Sequence, residues 1–131
     1  MSFNLAIFNK KAAPKDMDAF RDWMDGVTVW EDDLDYDNPD NAVPELKVAF
    51  MEIIKEFPPM NGPLTPSDDA LDEDPELEDR LVDYSIAKDL IYASIAFSVA
   101  VDASMTFFEV AEKHGLGVYD PQSGEILSNE F

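Results

Sequence analysis

The first residues of the chain alternate between large apolar side chains and small or polar ones. Phe3, Leu5 and Ile7 occupy every second position, with Asn4 and Ala6 between them. A period of two residues is typical of a β-strand, because successive side chains point to opposite faces of the sheet. The pattern therefore predicts a first strand at the start of the chain.

Two helices are predicted next. In residues 15–25 the apolar side chains recur at helical spacing, and Gly26 is expected to end this helix. A second helix is expected to start with Asp40 or Asn41 as its cap and Pro44 in its first turn. Its buried face is predicted to consist of Val43, Leu46, Phe50, Ile53, Ile54 and Phe57, and Pro58 and Pro59 then stop it.

The second half of the chain predicts strands around one more helix. Residues 82–87 and 90–97 are predicted strands, the latter rich in Ile, Tyr and Phe. A helix capped by Asp102 or Ser104 is expected to bury Met105, Phe108, Val110 and Ala111 and to stop at Gly115. An alternative makes 90–115 one long helix, which the β-rich composition before Ser98 disfavours.

The C-terminal residues predict a hairpin. Residues 117–120 are expected to form a short strand, and residues 125–127 are expected to pair back on it after a turn. The order of elements is then β-α-α-β-β-α-β over residues 1–131. The prediction is a single α+β domain with an antiparallel or mixed sheet and helices packed on one face.

The balance of charge is strongly acidic. The 131 residues include 29 Asp and Glu against nine Lys and Arg, which gives a formal net charge of −20. Two stretches, 31–40 and 61–79, hold six and eight acidic residues and are predicted to be acidic loops. This charge repels nucleic acid and anionic membranes and attracts basic proteins. Adaptation to solubility or high salt explains acidity equally well.

Several kinds of chemistry are excluded or disfavoured by composition. There is no cysteine, so disulfides, thiolate metal sites and cysteine nucleophiles are excluded. The sole histidine, His114, is expected to interact with the end of a helix dipole, with a catalytic role as the weaker alternative. No nucleotide-binding glycine motif is present. We therefore expect no cofactor, no metal and no enzymatic activity; a carboxylate enzyme acting on a small cationic or sugar substrate stays as an alternative.

One acidic stretch resembles the start of a calcium loop. Asp33, Asp35 and Asp37 alternate as the first ligands of such a loop do, but Asn38 stands where the loop needs glycine and Pro44 where it needs glutamate. A solvated loop is the preferred interpretation. No segment has the length and apolar character of a signal peptide or a membrane span, and a cytoplasmic location is expected.

Both ends of the chain resemble a family of small acidic bacterial proteins. The stretch from Ala111 to Gln122 matches an ending of the type A-x-x-H-G-L-x-x-[YF]-D-P-Q, and residues 91–98 and 1–8 are similar as well. That family is largely uncharacterised, and its members look like immunity proteins of polymorphic toxin systems. The resemblance implies an inhibitor of a toxin, whereas the middle of the chain carries no match.

The D-P-Q ending has two interpretations. In the structural one, Asp120 accepts hydrogen bonds from turn amides and Pro121 fixes the backbone. In the functional one, Tyr92, Asp120 and Gln122 line a pocket.

The leading functional hypothesis is an immunity-type inhibitor that covers a basic toxin surface. A nuclease is an attractive target because its cleft is basic. The alternative is an acidic regulatory or structural interaction module without a toxin partner, a homodimer included. Direct binding to nucleic acid or membrane is not expected. The candidate contact residues are Asp32, Asp33, Asp35, Tyr36, Asp37, Asp68, Asp69, Asp72, Glu73 and Asp74.

Overall fold

The sheet is antiparallel and its central strand comes from the start of the chain. The computed structural model describes residues 2–27, 39–60, 65–122 and 125–126. Within these ranges the sheet has the order β2-β3-β1-β4-β5. Its strands are β1 (Ser2–Phe8), β2 (Asp83–Ile86), β3 (Leu90–Ala96), β4 (Gly117–Asp120) and β5 (Glu125–Ile126).

Five α-helices accompany this sheet in the described part of the chain. They are α1 (Met17–Val27), α2 (Pro44–Ile53), α3 (Asp68–Glu73), α4 (Pro75–Asp79) and α5 (Ala100–Lys113). Short 3-10 turns at Pro39–Asn41 and Phe97–Val99 precede α2 and α5. The predicted α+β class, the antiparallel sheet and the separate strand and helix in 90–115 are confirmed.

The central strand is buried on both faces. β1 pairs with β3 along its whole length and with β4 at Ala6, Ile7 and Phe8. Leu5 and Ile7 point to one face of the sheet and Ala6 and Phe8 to the other, and all four are fully buried. A strand of this kind needs cover on both sides.

The helices are accordingly divided between the two faces. Leu5 and Ile7 belong to the main core with Phe50 of α2 and Phe107 of α5. Phe8 on the other face packs against Phe20 of α1, with the ring centroids 5.0 Å apart. The predicted placement of all helices on one face was therefore wrong. Successive side chains of β1 are apolar on both faces of the sheet, so each face needs a helix to cover it.

The predicted helix caps differ from those observed. α2 follows Val43 without a side-chain cap, and α5 likewise follows Val99. Asn41 instead donates from Nδ2 to the Ile86 carbonyl, at 3.1 Å. Pro44 lacks an N–H group, which leaves one donor fewer to cap at the start of α2. Asp102 lies inside the first turn of α5, where its negative charge interacts favourably with the positive end of the helix dipole.

The helix ends were predicted better at Gly115 than elsewhere. Gly115 has φ +69°, and the Leu116 amide donates to the Ala111 carbonyl at 2.8 Å to close α5. By contrast, α1 continues through Gly26, and α2 ends at Ile53, before the two prolines. The predicted C-terminal hairpin is confirmed by the pairing of β4 with β5.

Candidate interaction surface

The acidic segment, residues 68–79, is helical where a loop was predicted. It consists of α3 and α4, and Ser67 begins α3 by accepting a hydrogen bond from the Ala70 amide at 3.2 Å. Pro75 opens α4 and separates the two helices. Ser67 and Pro75, residue types that are also common in loops, therefore begin the two helices.

Every carboxylate of the acidic segment points to solvent. The two helices contain no buried residue, and the eight acidic side chains are all exposed. No basic residue interrupts them. The exposed set includes five predicted contact residues, Asp68, Asp69, Asp72, Glu73 and Asp74. The other five, Asp32, Asp33, Asp35, Tyr36 and Asp37, lie outside the described residues.

Arg80 fastens the end of the acidic segment to the core. Its guanidinium lies 4.6 Å from the centroid of the buried Phe57 ring, and its Nε donates to the Glu56 carbonyl at 2.8 Å. Just beyond, the Val82 amide donates to the Pro58 carbonyl at 3.0 Å, and the Met60 amide donates to the Val82 carbonyl at 2.9 Å. These contacts attach the C-terminal end of the acidic segment to the protein core.

A cleft of about 490 Å³ opens beside this anchor. Met60, Leu81, Ile95 and Ala96 give it apolar walls. The polar groups that line it are Glu78, Asp79, Asp83 and Ser94, and none is basic. An apolar cleft with a carboxylate rim suits a lysine or arginine side chain, whose aliphatic stem packs on apolar surface while its head stays polar.

A second cleft, of about 370 Å³, lies between α2 and α5 and already contains paired charges. Glu52 Oε1 accepts from Lys113 Nζ at 3.0 Å and lies 3.1 Å from His114 Nε2. Thr106 donates to Glu56 at 2.9 Å. These bonds tie α2 and the turn after it to α5, so His114 at the end of α5 also contacts α2 through Glu52.

The Glu52 contacts should make stability depend on pH. Hydrogen bonds from Lys113 and then His114 hold the pKa of Glu52 below its ordinary value of 4.5. A lowered folded-state pKa means that this stabilisation is fully present above 4.5 and is lost as the pH falls through the lower value. The difference in free energy of unfolding between wild type and Glu52→Gln should therefore shrink on acidification, as urea titrations from about pH 7 to pH 3 would measure.

A control removes the partners of Glu52. In a Lys113→Met/His114→Gln background, Glu52→Gln should have a much smaller effect, and that effect should vary less with pH. A gap between wild type and Glu52→Gln that widened below pH 4.5 would contradict this account.

The D-P-Q ending closes the edge of β1. The Gln122 amide donates to Asp120 Oδ1 at 2.9 Å, which is the predicted Asx turn. The Gln122 side chain then accepts from the Asn4 amide at 2.6 Å and donates to the Asn4 carbonyl at 2.8 Å. It thus supplies the two hydrogen bonds that a longer β4 would have given to β1.

Tyr92 lies elsewhere, on the sheet face covered by α1. It stands opposite Ala6 of β1 and Ser85 of β2, and it packs against the cluster of Phe8 and Phe20. Burial, with a smaller contribution from Tyr119, raises the pKa of its hydroxyl. Neither cleft is lined by Tyr92, Asp120 or Gln122. Asp120 and Gln122 form the turn, and Tyr92 packs on the sheet.

Neither the contact of Arg80 with the core nor the cleft with the carboxylate rim was predicted from the sequence. Arg80 is the first basic residue after a long acidic stretch. This position in the sequence could have indicated that Arg80 ends the acidic segment. The cleft had no such signal, because its lining comes from three separate parts of the chain.

No protein-family model, no curated protein and no solved structure matches the chain significantly. In the part of the chain that the structure describes, no three His, Asp or Glu residues are grouped to hold a metal ion. None of the helices described there is long and apolar enough to cross a membrane.

Proposed function

We propose that this protein is a binding protein of the immunity type, which inhibits a basic bacterial toxin by covering its surface. The observation that carries the proposal is the anchored acidic segment beside an apolar cleft with a carboxylate rim. The resemblance of the chain ends to immunity proteins supports the same function.

The surface suits rapid association with a cationic partner. Eight exposed carboxylates lie within residues 68–79, and the net charge of −20 adds a long-range field of the same sign. Such a field steers a basic partner and raises the association rate, and salt screens it over roughly 8–10 Å at physiological ionic strength. A toxin that binds nucleic acid, such as a nuclease, presents a cleft of the required charge.

The electrostatics of Glu52 disfavour a role for this carboxylate as a general acid. Its pKa is lowered because Lys113 and His114 hold the charged form, whereas a general acid working near neutral pH needs a raised one. This carboxylate is better suited to joining two helices than to transferring a proton.

The first test removes charge from the acidic segment. A variant with Asp68, Asp69, Asp72 and Asp74 changed to Asn and Glu73 to Gln should associate with the captured partner about tenfold more slowly. Dissociation should change little, and the rate difference should shrink as salt is added. The partner would be captured from a lysate of the encoding organism, identified by mass spectrometry, purified and studied by surface plasmon resonance.

A matched control carries the same loss of charge at other exposed positions. Asp18, Asp22 and Asp25 are changed to Asn and Glu45 and Glu112 to Gln, which leaves the acidic segment intact. This control should associate at nearly the wild-type rate. Equal slowing of both variants would assign the effect to net charge alone, and a partner with an acidic contact surface would end the proposal.

A further inference from the structure

The first turns of α5 and the 3-10 turn before it present an apolar surface to solvent. Phe97, Val101 and Met105 are 51%, 74% and 59% exposed and recur every four residues. We call these three residues the apolar stripe. Val101 and Met105 are four residues apart on α5, where a rise of 1.5 Å per residue separates them by about 6 Å along the helix, and Phe97 precedes them in the 3-10 turn. Large apolar side chains aligned in this way are typical of an interface.

Carboxylates, and no cations, accompany the apolar stripe along the chain. Asp102 follows Val101, and the exposed Glu109 continues the four-residue spacing beyond Met105. Residues 89–112 contain no Lys, Arg or His, whereas Lys113 follows Glu109 by one helical turn and lines the second cleft with Glu109 and Lys55. In the chain, Phe97 directly follows Ala96, which lines the cleft with the carboxylate rim. The chemistry that complements this face is apolar along the stripe and cationic beside Asp102.

We propose that the apolar stripe is the docking face for a cationic amphipathic helix of the partner protein. An apolar face of two or three turns would pack on Phe97, Val101 and Met105, and a flanking Lys or Arg side chain would reach Asp102. This inference rests on the proposed function. It adds an apolar contribution to the binding affinity, which salt does not screen.

Other occupants fit the charges less well. A second copy of the chain would bring the carboxylates of two acidic patches together, since a symmetric contact uses the same patch twice. An anionic membrane would be repelled by Asp102 and by the net charge of −20. A cationic protein helix satisfies both the apolar and the charged groups.

The test uses synthetic peptides as the probe. The first peptide has ~14 residues, with leucines on one helical face and lysines on the other, and the second has the same composition in scrambled order. Fluorescence anisotropy should show that the wild-type protein binds the amphipathic peptide about tenfold more tightly than the scrambled one. The double variant Val101→Ser/Met105→Ser should lose that preference.

The control places the same kind of change on α2. Val48 and Met51 are 49% and 40% exposed, so Val48→Ser/Met51→Ser removes a similar apolar surface elsewhere. It should keep the preference for the amphipathic peptide. Thermal melts of both variants, followed by circular dichroism, should match wild type because the substituted side chains are exposed.

The outcomes separate this inference from the proposed function. If wild type binds both peptides equally and only the acidic-segment variant binds them more weakly, the stripe is not the docking face, although the acidic segment does bind cationic peptides. If the stripe variant alone weakens binding, the docking face stands and the role of the acidic segment fails. A dimer in light scattering that disappears in Val101→Ser/Met105→Ser, or cosedimentation with anionic vesicles, would overturn the assignment to a partner helix.

Discussion

Changing Phe107 to alanine should lower the free energy of unfolding by about 3–5 kcal/mol. Phe107 is fully buried in the main core, where its ring lies 6.4 Å from that of Tyr84 at an interplanar angle of 11°. Tyr84 in turn donates its hydroxyl to the Phe57 carbonyl at 2.7 Å. Truncation would leave a cavity at the point where α5 meets both α2 and the sheet. Urea unfolding followed by circular dichroism would measure the change.

Met105 on the same helix supplies the control. Met105→Ala removes a side chain that is 59% exposed, and it should change the free energy of unfolding by less than about 0.5 kcal/mol. The sequence pattern placed Met105 in the core and would therefore have predicted a large loss for Met105→Ala. The structure predicts the larger loss for Phe107→Ala. Equal losses for the two variants would show that the buried face of α5 is not the one described.

Changing Gly117 to alanine should destabilise the fold by about 2–3 kcal/mol. Gly117 faces Phe8 across β4 and β1, and a Cβ at position 117 would lie 2.3 Å from Cζ of the Phe8 ring. The ring cannot easily move, because Phe8 is fully buried against Phe20. The added methyl group must displace either the strand or the aromatic cluster. Chemical denaturation would measure this loss.

Two further variants check the cause of that loss. Gly26→Ala places a methyl group where no atom lies within 4 Å, so in α1 it should stabilise the protein by about 0.5 kcal/mol. Phe8→Leu should make Gly117→Ala less harmful than it is in wild type, because the smaller side chain gives the methyl group room. Independent, additive effects of the two substitutions would contradict a direct clash.

The candidate site was predictable only where the signal is local. The Asx turn at Asp120 follows from the residues of the turn themselves, and it is observed. The acidic segment was recognised as exposed and charged, but its helices were missed because Ser67 and Pro75 are also common in loops. The exposure of Met105 was missed because helical spacing fits several neighbouring faces of α5, and the apolar residues extend around much of the helix.

The sequence by itself determined the strands of the sheet, the region of each long helix, the stop at Gly115 and the absence of thiol chemistry. These depend on side-chain period, glycine and composition, which act over a few residues. Only the tertiary structure decided that α1 covers the second face, that Gln122 completes the edge of β1, and that Phe107 enters the core while Met105 stays outside. Those outcomes depend on contacts between distant parts of the chain, where each apolar side chain competes with others for the same limited interior.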